Sequence, residues 1–228
     1  MQKYDILLFD ADDTLFDFGK AERRAIINTF DKFSIPADED NIELYVKINK
    51  DCWRQLERGE IDKISLRQVR FERLSSALGI DFDAKLAGEF YLADLATHAI
   101  LIDGARELCE RLSKRAKLYI ITNGIKTVQT GRMKRSGIEE YIEKCFISED
   151  VGYEKPDIRF FDHVSKSIEN FDKSRALVIG DSLTSDIAGG NNFGIDTCWY
   201  NPRGSFGEGM TYKVKSYAEL EALIFGEV

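Results

Sequence analysis

Three aspartates lie within four residues near the start of the chain, at Asp10, Asp12 and Asp13, directly after the apolar run 6–9. A short, continuous apolar run predicts a parallel strand that is buried on both faces. The acids would then stand at the carboxyl end of that strand, where open α/β sheets bind their ligands. Because crowded, desolvated carboxylates need compensating charge, we expect a hard cation, and Mg²⁺ suits oxygen ligands that share it with a phosphate.

A helix cap or a calcium loop could also contain such an acidic stretch. An acidic turn that caps a helix would account for Asp12, Asp13 and Thr14, since Asp and Thr favour turns and helix starts. An EF-hand calcium loop is excluded, because it needs Gly and Glu where the chain has Leu15 and Ala21. The choice between a turn and a metal site therefore depends on other segments.

Three later segments place polar residues after predicted strands or in the loops that follow them. The Thr-Asn-Gly segment 122–124 precedes a helix, whose N-terminus favours an anion, although an ordinary helix cap explains it equally well. Lys155 is followed by a proline that keeps its backbone extended, although most single lysines are surface charges. Asp181 and Asp186 follow another apolar run, and Asp186 also fits the first turn of a helix.

The order of predicted elements indicates two domains. Residues 16–97 show helical periodicity and predict an all-helical insert, in which Ser65 opens a capping box and a stripe that includes Trp53 is buried. From Asp103 onward strands and helices alternate, which predicts a mostly parallel sheet of about five strands. Residues 1–15 and 98–228 would together form this α/β domain.

Composition narrows the class of protein. The chain has 228 residues, 43% of them hydrophobic and 32% charged, which is typical of a globular protein. Its net charge of −8 argues against a nucleic-acid or anionic-membrane partner. The four cysteines form no metal-binding or disulfide pattern, no signal peptide is evident, and no apolar run approaches the length of a membrane span. We therefore expect a cytoplasmic monomer or homodimer.

Taken in order along the chain, these segments resemble the four motifs of the haloacid dehalogenase (HAD) superfamily. The matching residues are Asp10-Ala11-Asp12-Asp13-Thr14, Thr122, Lys155, and Gly180-Asp181 with Asp186. The resemblance implies a Rossmann-like core with strand order 5-4-1-2-3 and a helical cap inserted after the first motif.

The same resemblance implies a role for each matching residue. Asp10 would be the nucleophile that forms an aspartyl phosphate, and Asp12 the general acid and later the general base. Mg²⁺ would be held by Asp10, Asp181 and the Asp12 backbone carbonyl, with Asp186 behind them. The residues implied to bind the phosphoryl group are Thr122, Asn123, Gly124 and Lys155.

Segments that extend beyond the four motifs are similar to the YjjG-type bacterial pyrimidine 5′-nucleotidases. They include residues 9–18, 53–61 and 148–152 and the pair Cys198-Trp199. This similarity implies a small phosphorylated metabolite, a nucleotide, as the substrate. Aromatic residues within 16–18 are predicted to stack on its base.

Three alternatives remain open. A sugar-phosphate phosphatase or a β-phosphoglucomutase-like phosphomutase would keep all four motifs. A phosphonate hydrolase would need a cap lysine for a Schiff base, and the sequence singles out none of Lys47, Lys50 and Lys63. A catalytically idle binding module is disfavoured, because the acids and the lysine of the motifs are intact.

Overall fold

The computed structural model describes residues 3–226, and the chain forms two compact units. One unit takes the chain up to Phe18 and again from Ala99 onward, and the other is Gly19–His98. The second unit corresponds to the predicted helical insert. The segment 16–18, predicted as part of the insert, groups with the α/β unit, and His98, predicted in the α/β domain, groups with the helical unit.

The helical unit contains four helices, which are α1 Phe18–Lys32, α2 Glu39–Glu57, α3 Lys63–Leu78 and α4 Ala84–Leu95. The capping box predicted at Ser65 is wrong. Asp62 caps α3, and its carboxylate accepts a 2.6 Å hydrogen bond from the Ser65 N–H. Asp caps a helix as well as Ser does, so the helix starts two residues before the predicted cap.

The interior of the helical unit is partly polar. In the stripe predicted on α2, Tyr45 and Asn49 are buried as expected, whereas Trp53 is only half-buried. The Asn49 amide donates to Glu22 at 2.6 Å and accepts from Arg70 at 3.0 Å. Because buried charges are tolerated when they are hydrogen-bonded to one another, this network keeps Glu22 and Arg70 inside the unit.

The α/β unit is built on six strands, and every pair of neighbours is parallel. They are β1 Ile6–Phe9, β2 Lys117–Thr122, β3 Ile142–Ile147, β4 Ala176–Gly180, β5 Asp196–Tyr200 and β6 Tyr212–Val214. The order is β3-β2-β1-β4-β5-β6, which confirms the predicted 5-4-1-2-3 and adds β6 beside β5. With only three residues, β6 is too short to show a strand period in the sequence.

Helices cover both faces of the sheet. They are α5 Ala105–Ser113, α6 Lys126–Ser136, α7 Ser148–Val151, α8 Ile158–Ser167, α9 Ala188–Phe193 and α10 Tyr217–Phe225. Side chains of β1 alternate, so Leu7 and Phe9 pack on the side of α5 and α10, and Ile6 and Leu8 on the side of α8 and α9. Among the described residues, no helix has both the length and the apolar character required to cross a bilayer.

The register of the central strands sets the position of the polar segments. Phe9, at the end of β1, pairs with Ile120 of β2 and with Ile179 of β4. The carboxyl ends of these three strands therefore lie side by side. The residues that follow them share one edge of the sheet, as the sequence predicted.

Candidate active site

Acids from two neighbouring strand ends meet at this edge. Asp10 directly follows β1 and Asp181 directly follows β4, while Asp186 lies in a π-helical turn, Leu183–Ile187. One carboxylate oxygen from each of these three residues lies within 4.8 Å of the others. The structure therefore brings together acids that are separated by more than 170 residues in the chain.

Lys155 joins two of the three acids. Its Nζ donates hydrogen bonds to Asp10 Oδ1 at 2.7 Å, to Asp186 Oδ1 at 2.6 Å and to the carbonyl oxygen of Ile121 at 2.7 Å. An ammonium group has three donors, so all of them are used. Lys155 is 3% exposed, which shows that it is not a surface charge.

The pKa values show that the site is short of positive charge. Burial raises the pKa of Asp10 well above its ordinary value, and the charge of Asp186 adds to this effect while Lys155 opposes it. Burial and then Asp186 raise the pKa of Asp181 to about 8. Burial would lower the pKa of Lys155, but Asp10 and Asp186 outweigh it and raise that pKa. One ammonium thus faces three acids and donates hydrogen bonds to only two of them.

The donor set fits a divalent metal ion. When all three acids are ionised, they face one ammonium and leave two negative charges uncompensated, which is the charge that one Mg²⁺ ion would balance. Both oxygens of Asp186 already accept hydrogen bonds, one from Lys155 and one from the Ser182 N–H at 3.1 Å. Asp10 and Asp181 therefore have the freer oxygens, and hard carboxylate oxygens are the ligands that Mg²⁺ prefers.

Gly180 makes room for the Asp186 carboxylate. A Cβ atom at this position would overlap the Asp186 side chain, so only glycine allows the two segments to approach so closely. Asp186 lies in the first turn of its helix and is also fully buried against Lys155. This residue therefore both starts a helical turn and belongs to the acidic cluster.

The segment after β2 connects to the lysine. Thr122 is buried, and its Oγ1 accepts a 2.9 Å hydrogen bond from the Gly124 N–H. The Asn123 side chain donates to the Lys155 carbonyl at 2.8 Å and accepts from the Lys155 N–H at 2.9 Å. Asn123 therefore holds the backbone of Lys155 beside the end of β2, a role that its position in the sequence did not indicate.

Replacing Asn123 with alanine removes two hydrogen bonds and should loosen Lys155. We expect kcat for the phosphatase reaction that the sequence resemblance implies to fall about tenfold, and the free energy of unfolding to fall by about 1–2 kcal/mol. Asn123→Asp should be at least as harmful, since it places a carboxylate oxygen against the Lys155 carbonyl. Steady-state kinetics and urea denaturation measure both effects. Asn192→Ala, which removes only a 3.5 Å contact to the Pro156 carbonyl, is the control. Equal kcat values in all three variants would contradict the role of Asn123.

Asp12 is bound by two residues of α6 that sequence analysis did not single out. Gln129 Nε2 donates to Asp12 Oδ2 at 2.6 Å, and the Arg132 guanidinium pairs with Asp12 Oδ1. Residues three apart share a face of a helix, so the polar pair at 129 and 132 was a detectable signal. It pointed to no partner, however, because Asp12 is 117 residues away from Gln129.

The predicted base-stacking role is wrong for Phe16. This side chain is fully buried in the hydrophobic core of the α/β unit, and the Arg132 guanidinium lies 4.5 Å from the centre of its ring. A ring that is covered in this way has no free face for a ligand. Phe18 is only half-buried and keeps part of its surface accessible.

A cavity of about 260 Å³ adjoins Asp181 within the α/β unit. Its lining includes Asp13, Trp199 and Arg203, and the Trp199 indole N–H donates to the Asp181 carbonyl at 2.7 Å. Pockets that enclose a whole drug-sized ligand measure about 300–1,000 Å³. This cavity therefore has room for only part of such a molecule.

Comparison with known proteins gives consistent results. A family model for haloacid dehalogenase-like hydrolases matches residues 4–194. The chain is 40% identical to the pyrimidine 5′-nucleotidase PynA of Streptococcus pneumoniae, over 95% of this chain and 93% of PynA. It is 34% identical to the pyrimidine 5′-nucleotidase YjjG of Escherichia coli, over 97% of this chain and 98% of YjjG. The crystal structure of the HAD-hydrolase YfnB from Bacillus subtilis, bound to magnesium, matches with a TM-score of 0.93 and 36% identity, over 98% of this chain and 99% of that one.

Proposed function

Because the chain belongs to the haloacid dehalogenase-like hydrolase family, we propose that it is a Mg²⁺-dependent phosphatase that hydrolyses pyrimidine nucleoside 5′-monophosphates. The observation that carries the proposal is the buried contact of Lys155 with Asp10 and Asp186, beside Asp181. An acid that is held by a buried cation at a strand end is a suitable nucleophile for a phosphoryl group.

Asp10 begins the reaction in this proposal. One of its carboxylate oxygens is held by Lys155, and the other attacks phosphorus. The bond between phosphorus and the leaving oxygen breaks, and that oxygen takes a proton from Asp12. The products of this step are the free alcohol and an aspartyl phosphate on Asp10.

Water completes the reaction. Asp12, now a carboxylate, removes a proton from water as the water oxygen attacks phosphorus. The bond between phosphorus and the Asp10 oxygen breaks, which releases inorganic phosphate and restores the carboxylate. The Lys155 ammonium, fixed by its three hydrogen bonds, offsets negative charge in both steps without having to reorient.

The groups that would hold the metal ion are the carboxylates of Asp10 and Asp181 and the backbone carbonyl of Asp12, with Asp186 behind them. Mg²⁺ supplies positive charge that screens the phosphoryl oxygens from the attacking carboxylate. The Thr122 hydroxyl and the backbone N–H of Asn123 would bind the remaining phosphoryl oxygens just ahead of α6. The Gly124 N–H, to which the sequence resemblance gave the same role, already donates to Thr122 Oγ1 and leaves that hydroxyl free to donate to a phosphoryl oxygen.

The substrate class is supported by the similarity to PynA and YjjG, both of which are pyrimidine 5′-nucleotidases. The groups described above bind only the phosphoryl group, so selectivity for the nucleoside must come from other residues. Phe18 is one candidate, since part of its aromatic surface is accessible.

A phosphate-release screen in the presence of Mg²⁺ tests the proposal. We expect kcat/KM for dUMP, dTMP and UMP to exceed the values for AMP, GMP and hexose phosphates by about tenfold or more, which corresponds to about 1.4 kcal/mol. Higher kcat/KM values for hexose phosphates than for every nucleotide would favour a sugar-phosphate phosphatase. Isomerisation of β-glucose 1-phosphate without phosphate release would favour a phosphomutase. Either outcome would contradict the nucleotidase assignment while leaving the phosphoryl-transfer chemistry intact.

A further inference from the structure

The side chains of Gln129 and Arg132 hold both oxygens of Asp12. We propose that they are positioning residues, which orient the Asp12 carboxyl so that its proton reaches the leaving oxygen. This proposal rests on the function proposed above, because it needs Asp12 to act as the general acid. It predicts that replacing either residue lowers kcat/KM more for a leaving group that needs a proton than for one that does not.

The contacts are directional. Arg132 pairs with Oδ1 and Gln129 donates to Oδ2 at 2.6 Å, so each oxygen of Asp12 accepts from a different side chain. Two bonds to two atoms fix the plane of the carboxyl group. Each oxygen has two lone pairs, and one on each remains for a proton. The position from which Asp12 can donate that proton is therefore restricted.

The burial of Arg132 costs more stability than a purely structural contact would justify. It is 0% exposed, whereas the side chain of Asp12 is 27% exposed. Among the described residues, neither Nε nor the second terminal nitrogen of Arg132 has a hydrogen-bond partner. A buried guanidinium with free donors costs stability, and contact with the Phe16 ring offsets only part of this cost. Its charge is thus directed at a carboxylate that stays partly exposed.

The chain also makes space for the second contact. A Cβ atom at position 124 would lie 2.8 Å from Gln129 Cδ and 2.9 Å from its Cγ, so Gly124 lets the Gln129 side chain cross the backbone toward Asp12. Gln129 itself is only 2% exposed. Both residues that hold Asp12 are therefore locked in place by their surroundings.

The test compares two esters that differ in the leaving group. A nucleoside 5′-monophosphate releases an alkoxide and needs a proton, whereas 4-nitrophenyl phosphate releases a phenolate that departs without one. The quantity is kcat/KM, which reports the steps up to formation of the phosphoenzyme and excludes its hydrolysis. Any alkyl monophosphate that the wild-type protein hydrolyses can replace the nucleotide.

We expect Arg132→Met to lower kcat/KM for the alkyl ester about 30-fold to 100-fold, which is no more than the lower limit of about 10²-fold that general acid catalysis contributes, and for 4-nitrophenyl phosphate less than about threefold. Gln129→Leu should show the same contrast with a smaller loss, about tenfold. Arg132→Lys keeps the charge but not the guanidinium geometry, so it should restore part of the loss. Arg135→Met, an exposed position on the same helix, is the control.

Thermal unfolding shows which variants are folded. If Arg132→Met does not fold, the comparison of the two esters is made with Gln129→Leu. Equal losses with both esters, or no loss with either, would overturn the positioning role and leave the proposed function standing. Absence of phosphate release by the wild-type protein from every ester would overturn the proposed function and this inference with it.

Discussion

Asp10→Asn should lower kcat by at least about 10³-fold, equivalent to about 4 kcal/mol or more in the activation barrier. The amide is nearly isosteric with the carboxylate but cannot attack phosphorus. Lys155 keeps its hydrogen bonds to Asp186 and to the Ile121 carbonyl, so its charge remains compensated. The variant should therefore fold. Because one of three crowded carboxylates is removed, its melting temperature in the absence of metal should not fall below that of the wild type.

The measurements are phosphate release and thermal unfolding of the same samples. Asp162→Asn is the matched control, because it makes the same substitution at an exposed acid that pairs with Lys166 on the surface. That variant should keep wild-type kcat. If Asp10→Asn retained more than about a tenth of wild-type kcat, a barrier change under about 1.4 kcal/mol, Asp10 would not be the nucleophile.

Chelation of divalent metal ions should abolish activity, and added Mg²⁺ should restore it. The physical reason is the uncompensated charge of Asp10, Asp181 and Asp186 around a single ammonium. Ca²⁺ should restore activity poorly, because its larger and more flexible coordination shell would bind Asp10 through both oxygens and block its attack. Phosphate release after dialysis against chelator, followed by addition of each metal ion, measures this directly.

Thermal unfolding gives a second readout for the metal site. A ligand that binds only the folded protein stabilises it, by about 2.7 kcal/mol at a concentration 100 times Kd, so Mg²⁺ should raise the wild-type melting temperature. In Asp181→Asn this rise should be lost or much reduced. Asp150→Asn, which removes an exposed acid that pairs with Lys126, should keep it. Full activity in excess chelator, or an unchanged Mg²⁺ response in Asp181→Asn, would contradict the site.

The position of the candidate site was predictable because it depends on local patterns. Continuous apolar runs mark the buried parallel strands, and polar residues that follow them must lie at their carboxyl ends. This is why the acids at Asp10 and Asp181 could be assigned to one edge of the sheet. The change from strand and helix alternation to purely helical periodicity likewise indicated the insert.

Features that depend on distant neighbours were not predictable. The roles of Asn123 and Arg132 lie in contacts across 32 and 120 residues, for which the sequence contains no local signal. The predicted base stacking by Phe16 is wrong for the same reason. The sequence shows an aromatic residue beside the acids, but it does not show the core residues and the guanidinium that cover the ring.

The sequence alone therefore determined the parallel α/β class of the core and the acids that meet at its edge, because both follow from periodicity and from the geometry of parallel strands. Tertiary structure decided which groups act on those acids: Lys155 between Asp10 and Asp186, and Arg132 on Asp12. Burial and charge pairing arise only when segments far apart in the chain pack together. A single lysine or arginine in the sequence has no partner until the fold supplies one.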